Sequence, residues 1–175
     1  MSELSPFQRA WVEVNPAAIA SNARTLLRHL KPGTQLMAVV KADGYGHGAV
    51  TVARAALQGG ASSLGVATLQ EGLELRAAGI TKPILLLSAL HSADDLIRCH
   101  GGRLMPTLSS LEEANLCDQI SAAKGGEPFP VQLKVDTGMS RLGADWRIGA
   151  ELVERIRSLP HLQLVGLYSH LACAD

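Results

Sequence analysis

Aromatic residues are scarce in this chain, at 3% of its 175 residues. Proteins that bind single-stranded nucleic acid usually stack the bases on aromatic side chains, so this shortage argues against such a platform. The chain also lacks net charge, because 16 basic residues balance 16 acidic ones. Balanced charge argues against an electrostatic nucleic-acid footprint and against a polybasic membrane patch. We therefore expect neither nucleic acid nor a membrane as a partner.

Long apolar runs and a cysteine framework are missing as well. No run approaches the roughly 20 apolar residues that a membrane helix needs. Residues 1–6 lack the basic and then apolar segments of a secretory signal. Cys99, Cys117 and Cys173 are odd in number and far apart, which fits neither a disulfide framework nor a zinc pattern. We expect free thiols, a cytoplasmic location and no metal site, with Cys173 as a small buried residue.

Short apolar segments alternate with helical patterns along most of the chain. Six strands are predicted, at residues 36–40, 64–67, 84–87, 104–108, 131–135 and 164–168. Such alternation is typical of repeated βαβ units around a parallel sheet. Six strands suit a doubly wound open sheet, whereas a (β/α)₈ barrel needs eight, and the pattern alone does not separate the two. No G-x-G-x-x-G motif follows the first strand, which weakens the dinucleotide-binding form of the open sheet.

Capping residues mark several of the intervening helices. Asn15 precedes Pro16 as an N-cap before a first-turn proline, and Ser92 is placed to cap a later helix. A further helix begins at Ser109 or Ser110, with a glutamate in the capping-box position. Before the first helix, residues 11–14 alternate as a short strand would.

The most informative segment is Val39-Val40-Lys41-Ala42-Asp43-Gly44-Tyr45-Gly46-His47-Gly48. Lys41 ends an apolar stretch, so it stands where a strand leaves the core, and three glycines follow at alternate positions. Glycines let the backbone turn sharply and approach a bound group closely. A lysine amine in such a place can act as a nucleophile toward a carbonyl. A strand-end lysine taken alone is more often structural, with its stem packed and its head in water.

Two further segments place polar residues beyond strand ends. They are Lys134-Val135-Asp136-Thr137-Gly138-Met139-Ser140-Arg141-Leu142-Gly143 and Gly166-Leu167-Tyr168-Ser169-His170-Leu171-Ala172-Cys173-Ala174-Asp175. Lys41, Lys134, Arg141 and His170 all fall at or beyond the carboxyl ends of predicted strands, where barrels and open sheets carry their active sites. Considered alone, His170 could be a structural histidine, and Arg141 could be an ordinary surface charge. Asp136 suits a loop organiser that accepts backbone N–H bonds.

The three segments, in this order and spacing, resemble the three signatures of the alanine racemases. That resemblance covers essentially the whole chain and implies a fold-type III enzyme that uses pyridoxal 5′-phosphate (PLP). The expected fold is then a partial (β/α)₈ TIM-type barrel with about six of its eight strands and no C-terminal β domain. Residues 1–15 would pair with that absent domain, and residues 16–175 would form the truncated PLP-binding barrel.

The resemblance also implies roles for individual residues. Lys41 resembles the lysine that carries PLP as a Schiff base and acts as the base on one face of the substrate. Tyr45 is similar to the residue that contacts the cofactor phosphate, and His170 to the histidine near the cofactor ring. Arg141 resembles the arginine that contacts the cofactor phenolic oxygen and the substrate carboxylate. Lys134 matches a lysine that is carbamylated in many members, and a carbamate there would hold Arg141 by charge-assisted bonds.

The implied activity is the interconversion of L- and D-alanine for cell-wall precursors, by a homodimer of the full-length protein. In the family the base on the opposite face is a tyrosine from the partner subunit's C-terminal domain, and Tyr168 has no evident claim to that role. We therefore expect the isolated chain to be inactive. Two alternatives are a non-catalytic PLP-binding barrel and an inert fragment.

Overall fold

The computed structural model describes residues 11–173 and alternates strands with helices. The strands are β1 (Met37–Val39), β2 (Ser63–Val66), β3 (Ile84–Ala89), β4 (Met105–Leu108), β5 (Phe129–Asp136), β6 (Ala144–Asp145) and β7 (Leu162–Tyr168). The helices are α1 (Pro16–His29), α2 (Lys41–Gly46), α3 (Ala49–Gln58), α4 (Leu69–Ala77), α5 (Ala93–Gly101), α6 (Leu111–Lys124) and α7 (Gly149–Arg157). All six predicted strands are confirmed, whereas α2, β6 and a 3₁₀ turn at Trp146–Ile148 were not predicted.

Strand order decides between the two candidate architectures. All pairs are parallel and the main order is β1-β2-β3-β4-β5-β7, while the two-residue β6 pairs with the end of β5. Right-handed crossovers that always step in one direction place every helix on one face of the sheet. A doubly wound sheet instead reverses direction and carries helices on both faces. The fold is therefore a partial (β/α)₈-type barrel, and the open-sheet alternative is wrong.

The core lies between the helices and the face of the sheet that they cover. Fully buried side chains recur at alternate positions along the central strands, at Leu64, Val66, Ile84, Leu86, Val131 and Leu133. The helices contribute small and branched side chains that are equally buried, among them Ala53, Leu75, Leu96, Cys99 and Ile156. Full burial of a large aliphatic side chain is worth roughly 1.5–3 kcal/mol, so this layer holds the strand ends in place.

The two edges of the sheet are β1 and β7, which do not pair with each other within residues 11–173. On β7, Val165 and Leu167 are 44% and 58% exposed, so apolar surface stays uncovered beside this edge. No helix in the described part of the chain combines the length and apolar character needed to cross a membrane.

The predicted helix caps are present. The Asn15 side chain accepts a hydrogen bond of 3.1 Å from the Ala18 N–H ahead of α1, and Ser92 caps α5. The helix α6 is capped by Ser110 rather than Ser109, because the Ser110 hydroxyl accepts from the backbone N–H of Glu113. These local bonds satisfy helix N–H groups that have no partner within the helix.

The strand predicted at residues 11–14 is absent, since the structure gives them no regular secondary structure. An extended segment forms a strand only beside a partner, and residues 11–14 pair with none of the described strands. Trp11 and Val12 are accordingly exposed. The pairing of residues 1–15 stays a prediction, and residues 1–10 lie outside the described residues.

Candidate functional site

A cavity of about 850 Å³ opens at the carboxyl ends of the strands. Its lining includes all five residues singled out from the sequence, Lys41, Tyr45, Lys134, Arg141 and His170. None of the described residues that line it is acidic. The predicted convergence on one rim is confirmed, while the chemical roles of these residues remain predictions.

Three strands and the loops after them bring these residues together. Lys41 stands two residues beyond β1, and Lys134 belongs to β5. Arg141 lies in the loop between β5 and β6, and His170 lies two residues beyond β7. The carboxyl ends of parallel strands share one edge, so residues more than 100 positions apart in the sequence become neighbours.

The short helix α2 has an unusual backbone. Ala42, Asp43, Gly44 and Tyr45 have φ between 52° and 62° and ψ between 36° and 51°, which is the left-handed helical region. This conformation costs about 1–2 kcal/mol for each residue that has a Cβ atom. Strain of this kind persists only where the surroundings enforce it, and it concentrates at functional sites. The left-handed turn directly follows Lys41, so it sets the course of the backbone around that amine.

Several contacts enforce the turn. The Gly44 N–H donates to the Val40 carbonyl at 3.0 Å, and the Asp43 carboxylate accepts from the Ala49 N–H at 2.7 Å. A Cβ atom on Gly44 would lie 2.8 Å from Val52 Cγ2, so this position has room only for glycine. Tyr45 is 60% exposed and its side chain lies at the cavity wall.

Lys134 is the most buried cation of the site, at 6% exposure. Burial lowers the pKa of its ammonium, and the nearby cations Arg141 and Lys41 lower it further, while Asp136 opposes them. Its Nζ lies 5.7 Å from the centre of the Tyr168 ring. Among the described residues no carboxylate forms an ion pair with it. The site therefore concentrates positive charge around a lysine whose pKa is lowered by its surroundings.

A hydroxyl chain fixes Tyr168, a residue that the sequence argument left without a role. The Thr107 hydroxyl donates to the Leu86 carbonyl at 2.6 Å and, having a single proton, accepts from Tyr168 at 2.7 Å. Burial raises the pKa of the Tyr168 hydroxyl, and the bond with Thr107 only partly opposes this. Tyr168 thus stays protonated and fixed beside Lys134. No spacing signal in the sequence links residues 61 positions apart.

Asp136 organises the loop that carries Arg141, as predicted. Its carboxylate accepts from the backbone N–H groups of Gly138 at 2.8 Å and Ser140 at 3.1 Å. These hydrogen bonds, first from Gly138 and then from Ser140, lower the pKa of the Asp136 carboxyl. A Cβ atom on Gly143 would lie 2.6 Å from the Asp136 nitrogen, so the loop returns closely along β5.

None of the three cysteines is among the described residues that line this cavity. Cys99, Cys117 and Cys173 are free thiols. Burial raises the pKa of the first two, that of Cys117 to about 12, so they are inert. The prediction that Cys173 is buried is wrong, because it lies exposed in the loop after β7. A second cavity, of about 590 Å³, lies near Arg76 and Arg103, and none of the five predicted residues lines it.

Comparison with known proteins decides the family. The model of the family "Alanine racemase, N-terminal domain" matches residues 14–175. This chain belongs to that family. The alanine racemase of Prochlorococcus marinus is 56% identical over 175 residues, which are 100% of this chain and 45% of that protein. The chain thus spans about half the length of the curated relatives it matches.

Solved structures of alanine racemases also share the fold. The Enterococcus faecalis enzyme (E.faecalis) superposes with a TM-score of 0.85 at 36% identity, over 90% of this chain and 43% of that one. The alanine racemase from Bacillus anthracis with bound L-Ala-P gives a TM-score of 0.83 at 34% identity, over 98% and 44% of the two chains. The family and the partial barrel expected from the three motifs are confirmed.

Proposed function

We propose that this chain is the N-terminal, PLP-binding part of an alanine racemase that interconverts L- and D-alanine for cell-wall peptidoglycan precursors. In this proposal residues 16–175 form the truncated barrel, and residues 1–15 pair with a C-terminal β domain. The intact protein is then a cytoplasmic homodimer whose site is completed by the partner subunit.

One observation carries the proposal: a cavity at the strand ends gathers Lys41, Lys134, Arg141 and His170 without an acidic neighbour among the described residues that line it. PLP presents a phosphate, a phenolic oxygen and an aldehyde, and alanine adds a carboxylate. Cationic side chains and N–H donors can bind the phosphate, the phenolic oxygen and the carboxylate, while a lysine amine can react with the aldehyde. The residues of this site therefore fit PLP and a small amino acid.

The chain's own residues divide the work. Lys41 would hold PLP through its Nζ and, once the substrate amine had released that Nζ, would move the proton between Cα and Nζ on its own face of the substrate. Tyr45 would bind the phosphate, Arg141 would bind the phenolic oxygen and the substrate carboxylate, and His170 would lie near the ring. When bound, PLP supplies an electron sink that makes the Cα proton acidic.

Lys134 supports Arg141 once it has reacted with carbon dioxide. The ammonium first loses one proton. The neutral amine then attacks the carbon of CO₂, so that one N–C bond forms while one C=O π bond opens, and the nitrogen releases a second proton. The lysine cation has then become an anionic carbamate. Burial and the neighbouring cations lower the pKa of the ammonium, which favours the neutral amine this reaction needs. The carbamate then accepts charge-assisted bonds from Arg141 and relieves the repulsion between the two.

The deciding experiment uses the intact protein that contains this sequence. The protein is loaded with PLP and incubated with D-alanine, and the change in the circular dichroism of the alanine is followed. Lys41→Ala is the test variant, and Lys124→Ala, at the exposed end of α6, is the control. We expect racemisation in the wild type and the control and none in Lys41→Ala. PLP binding without turnover in the wild type would instead establish the non-catalytic barrel.

A further inference from the structure

We propose that Glu71 is a positioning residue for Lys41, because its carboxylate ties the left-handed turn α2 to the loop that follows β2. The inference concerns a residue of α4 that lies 30 positions after the lysine and does not line the cavity. It deepens the proposed function and rests on it, since a fixed Lys41 matters to catalysis only where the lysine holds a cofactor.

The turn needs an anchor at its beginning. Four successive residues, 42–45, have left-handed dihedral angles, and three of them carry a Cβ atom. Asp43 secures the far end of the turn through the Ala49 N–H. At the near end, the first N–H groups of a helical turn have no partner within it. The Ala42 N–H, directly after Lys41, is such a group.

Glu71 supplies the missing partner. Its Oε1 accepts from the Ala42 N–H at 2.7 Å, while its Oε2 accepts from the N–H groups of Ala67 at 2.7 Å and Thr68 at 3.0 Å. The Thr68 hydroxyl in turn accepts from the Glu71 N–H, which closes a capping box at the start of α4. One carboxylate thus joins the loops that follow two adjacent strands.

The charge on Glu71 suits this role. Partial burial raises the pKa of its carboxyl, but the backbone hydrogen bonds from Ala42, Thr68 and Ala67 outweigh it and lower the pKa below the usual value. The carboxylate is therefore ionised at neutral pH, when hydrogen bonds to it are strongest.

A second capping glutamate shows that capping alone does not explain this contact. Glu113 occupies the same position in α6, where its Oε2 accepts from the Ser109 N–H at 2.5 Å. Its other oxygen lies 3.6 Å from His91 Nδ1, a side chain that is largely exposed, and accepts from no backbone N–H of a neighbouring loop within residues 11–173. Glu71 differs because its second oxygen is directed at the turn that follows Lys41.

Glu71→Gln separates the two contacts of this side chain, which are the bond from the Ala42 N–H and the bonds that cap α4. An amide has one acceptor oxygen and one NH₂ group, and the N–H donors lie on both sides of the Glu71 carboxylate. Two N–H groups lie on the side of Ala67 and Thr68 and one on the side of Ala42, so the amide oxygen makes more hydrogen bonds when it stays with Ala67 and Thr68. Its NH₂ group then faces the Ala42 N–H. Glu71→Gln therefore keeps the shape of the side chain and the cap of α4 but releases the turn.

The test measures backbone hydrogen exchange in the intact, cofactor-free protein. Glu71→Gln is compared with Glu113→Gln, which alters a capping carboxylate elsewhere, and with Thr68→Val, which weakens the cap of α4 itself. We expect exchange in residues 42–48 to rise about tenfold or more in Glu71→Gln alone, as loss of a hydrogen bond to a charged acceptor implies. Equal exchange in all three variants, or no change in Glu71→Gln, would overturn the proposal.

A second readout tests the consequence for Lys41. The rate at which bound PLP dissociates, followed by its visible absorbance, should rise in Glu71→Gln and stay near the wild-type value in both controls. An unchanged rate together with faster exchange would refute a positioning role. A wild-type protein that binds no PLP would contradict the proposed function, and the exchange experiment would then decide the role of Glu71 by itself.

Discussion

Lys134 and Tyr168 are register partners on the adjacent strands β5 and β7, with the Lys134 Nζ 5.7 Å from the centre of the Tyr168 ring. A cation over the face of an aromatic ring is attracted to it electrostatically, and this attraction offsets part of the desolvation cost of burying the cation. Tyr168 is held in turn by Thr107, so the lysine has a fixed apolar wall on one side. The nearby cations Arg141 and Lys41 disfavour its proton, and the carboxylate of Asp136 opposes them only in part.

The first prediction concerns the lysine that holds the cofactor. When the intact protein is incubated with PLP, reduced with borohydride and digested, the added mass should lie on Lys41. The lysine stands at the start of the left-handed turn and lines the cavity, whereas Lys124 is exposed at the end of α6 and should carry no label. Label on another lysine with none on Lys41 would refute the assignment.

The second prediction concerns the carbamate. Lys134→Ala in the intact protein should lower kcat/KM about tenfold or more, because Arg141 loses a charged hydrogen-bond partner. Short carboxylates such as acetate should restore part of the activity by occupying the space left free. Labelled bicarbonate should give a carbamate NMR signal in the wild type that is missing in the variant. A structure of the intact protein with Lys134 unmodified and directed away from Arg141 would rule the idea out.

The third prediction concerns stability and pH when carbon dioxide is excluded. The pKa of Lys134 is lowered in the folded protein, so between that value and its ordinary one near 10.5 the unfolded chain binds more protons and stability rises with pH. At lower pH Lys134 is protonated in both states, so the folded protein carries the full free-energy cost of burying its charge. Lys134→Met should therefore be more stable than the wild type at pH 7, by an amount that shrinks toward pH 10.

Thermal unfolding of the cofactor-free intact protein in degassed buffer measures this difference. The exposed Lys124→Met serves as the control and should show no pH-dependent gain. A Lys134→Met variant that is less stable than the wild type across the whole range would show that the ammonium is better accommodated than its surroundings indicate.

The fourth prediction concerns the isolated chain of 175 residues. Within residues 11–173 its sheet has open edges at β1 and β7, and the neighbouring Val165 and Leu167 expose apolar surface. Unpaired strand edges act as templates for association. Sedimentation should therefore find oligomers or aggregates, and a monodisperse monomer at high concentration would contradict this expectation.

The fifth prediction is that the isolated chain does not racemise alanine appreciably, even with saturating PLP. In the proposed mechanism Lys41 serves only one face of Cα, and a positioned acid or base typically contributes about 10²–10⁴-fold. Turnover should fall by at least that factor relative to the intact enzyme, measured by circular dichroism of D-alanine. Turnover close to that of the intact enzyme would mean that the second base lies within this chain.

Sequence alone determined the six main strands, the helices other than α2, and the family, and it named the five residues that line the cavity. Apolar runs and helix caps are local signals, so the six strands and residues such as Asn15 and Ser92 were predictable without a structure. The barrel followed from the motif resemblance and not from the pattern, since strand order, which separates a barrel from an open sheet, leaves no trace in periodicity.

Tertiary structure alone decided how the site is supported. The left-handed turn contradicts the ordinary preference of Ala42, Asp43 and Tyr45, and contacts from elsewhere in the fold impose it. The bond from Glu71 to Ala42 spans 29 positions and that from Thr107 to Tyr168 spans 61. Spacing along a sequence reports which residues share a helix or a strand. Which loops meet at the rim of a sheet is set by strand order and register, and these arise only when the chain folds.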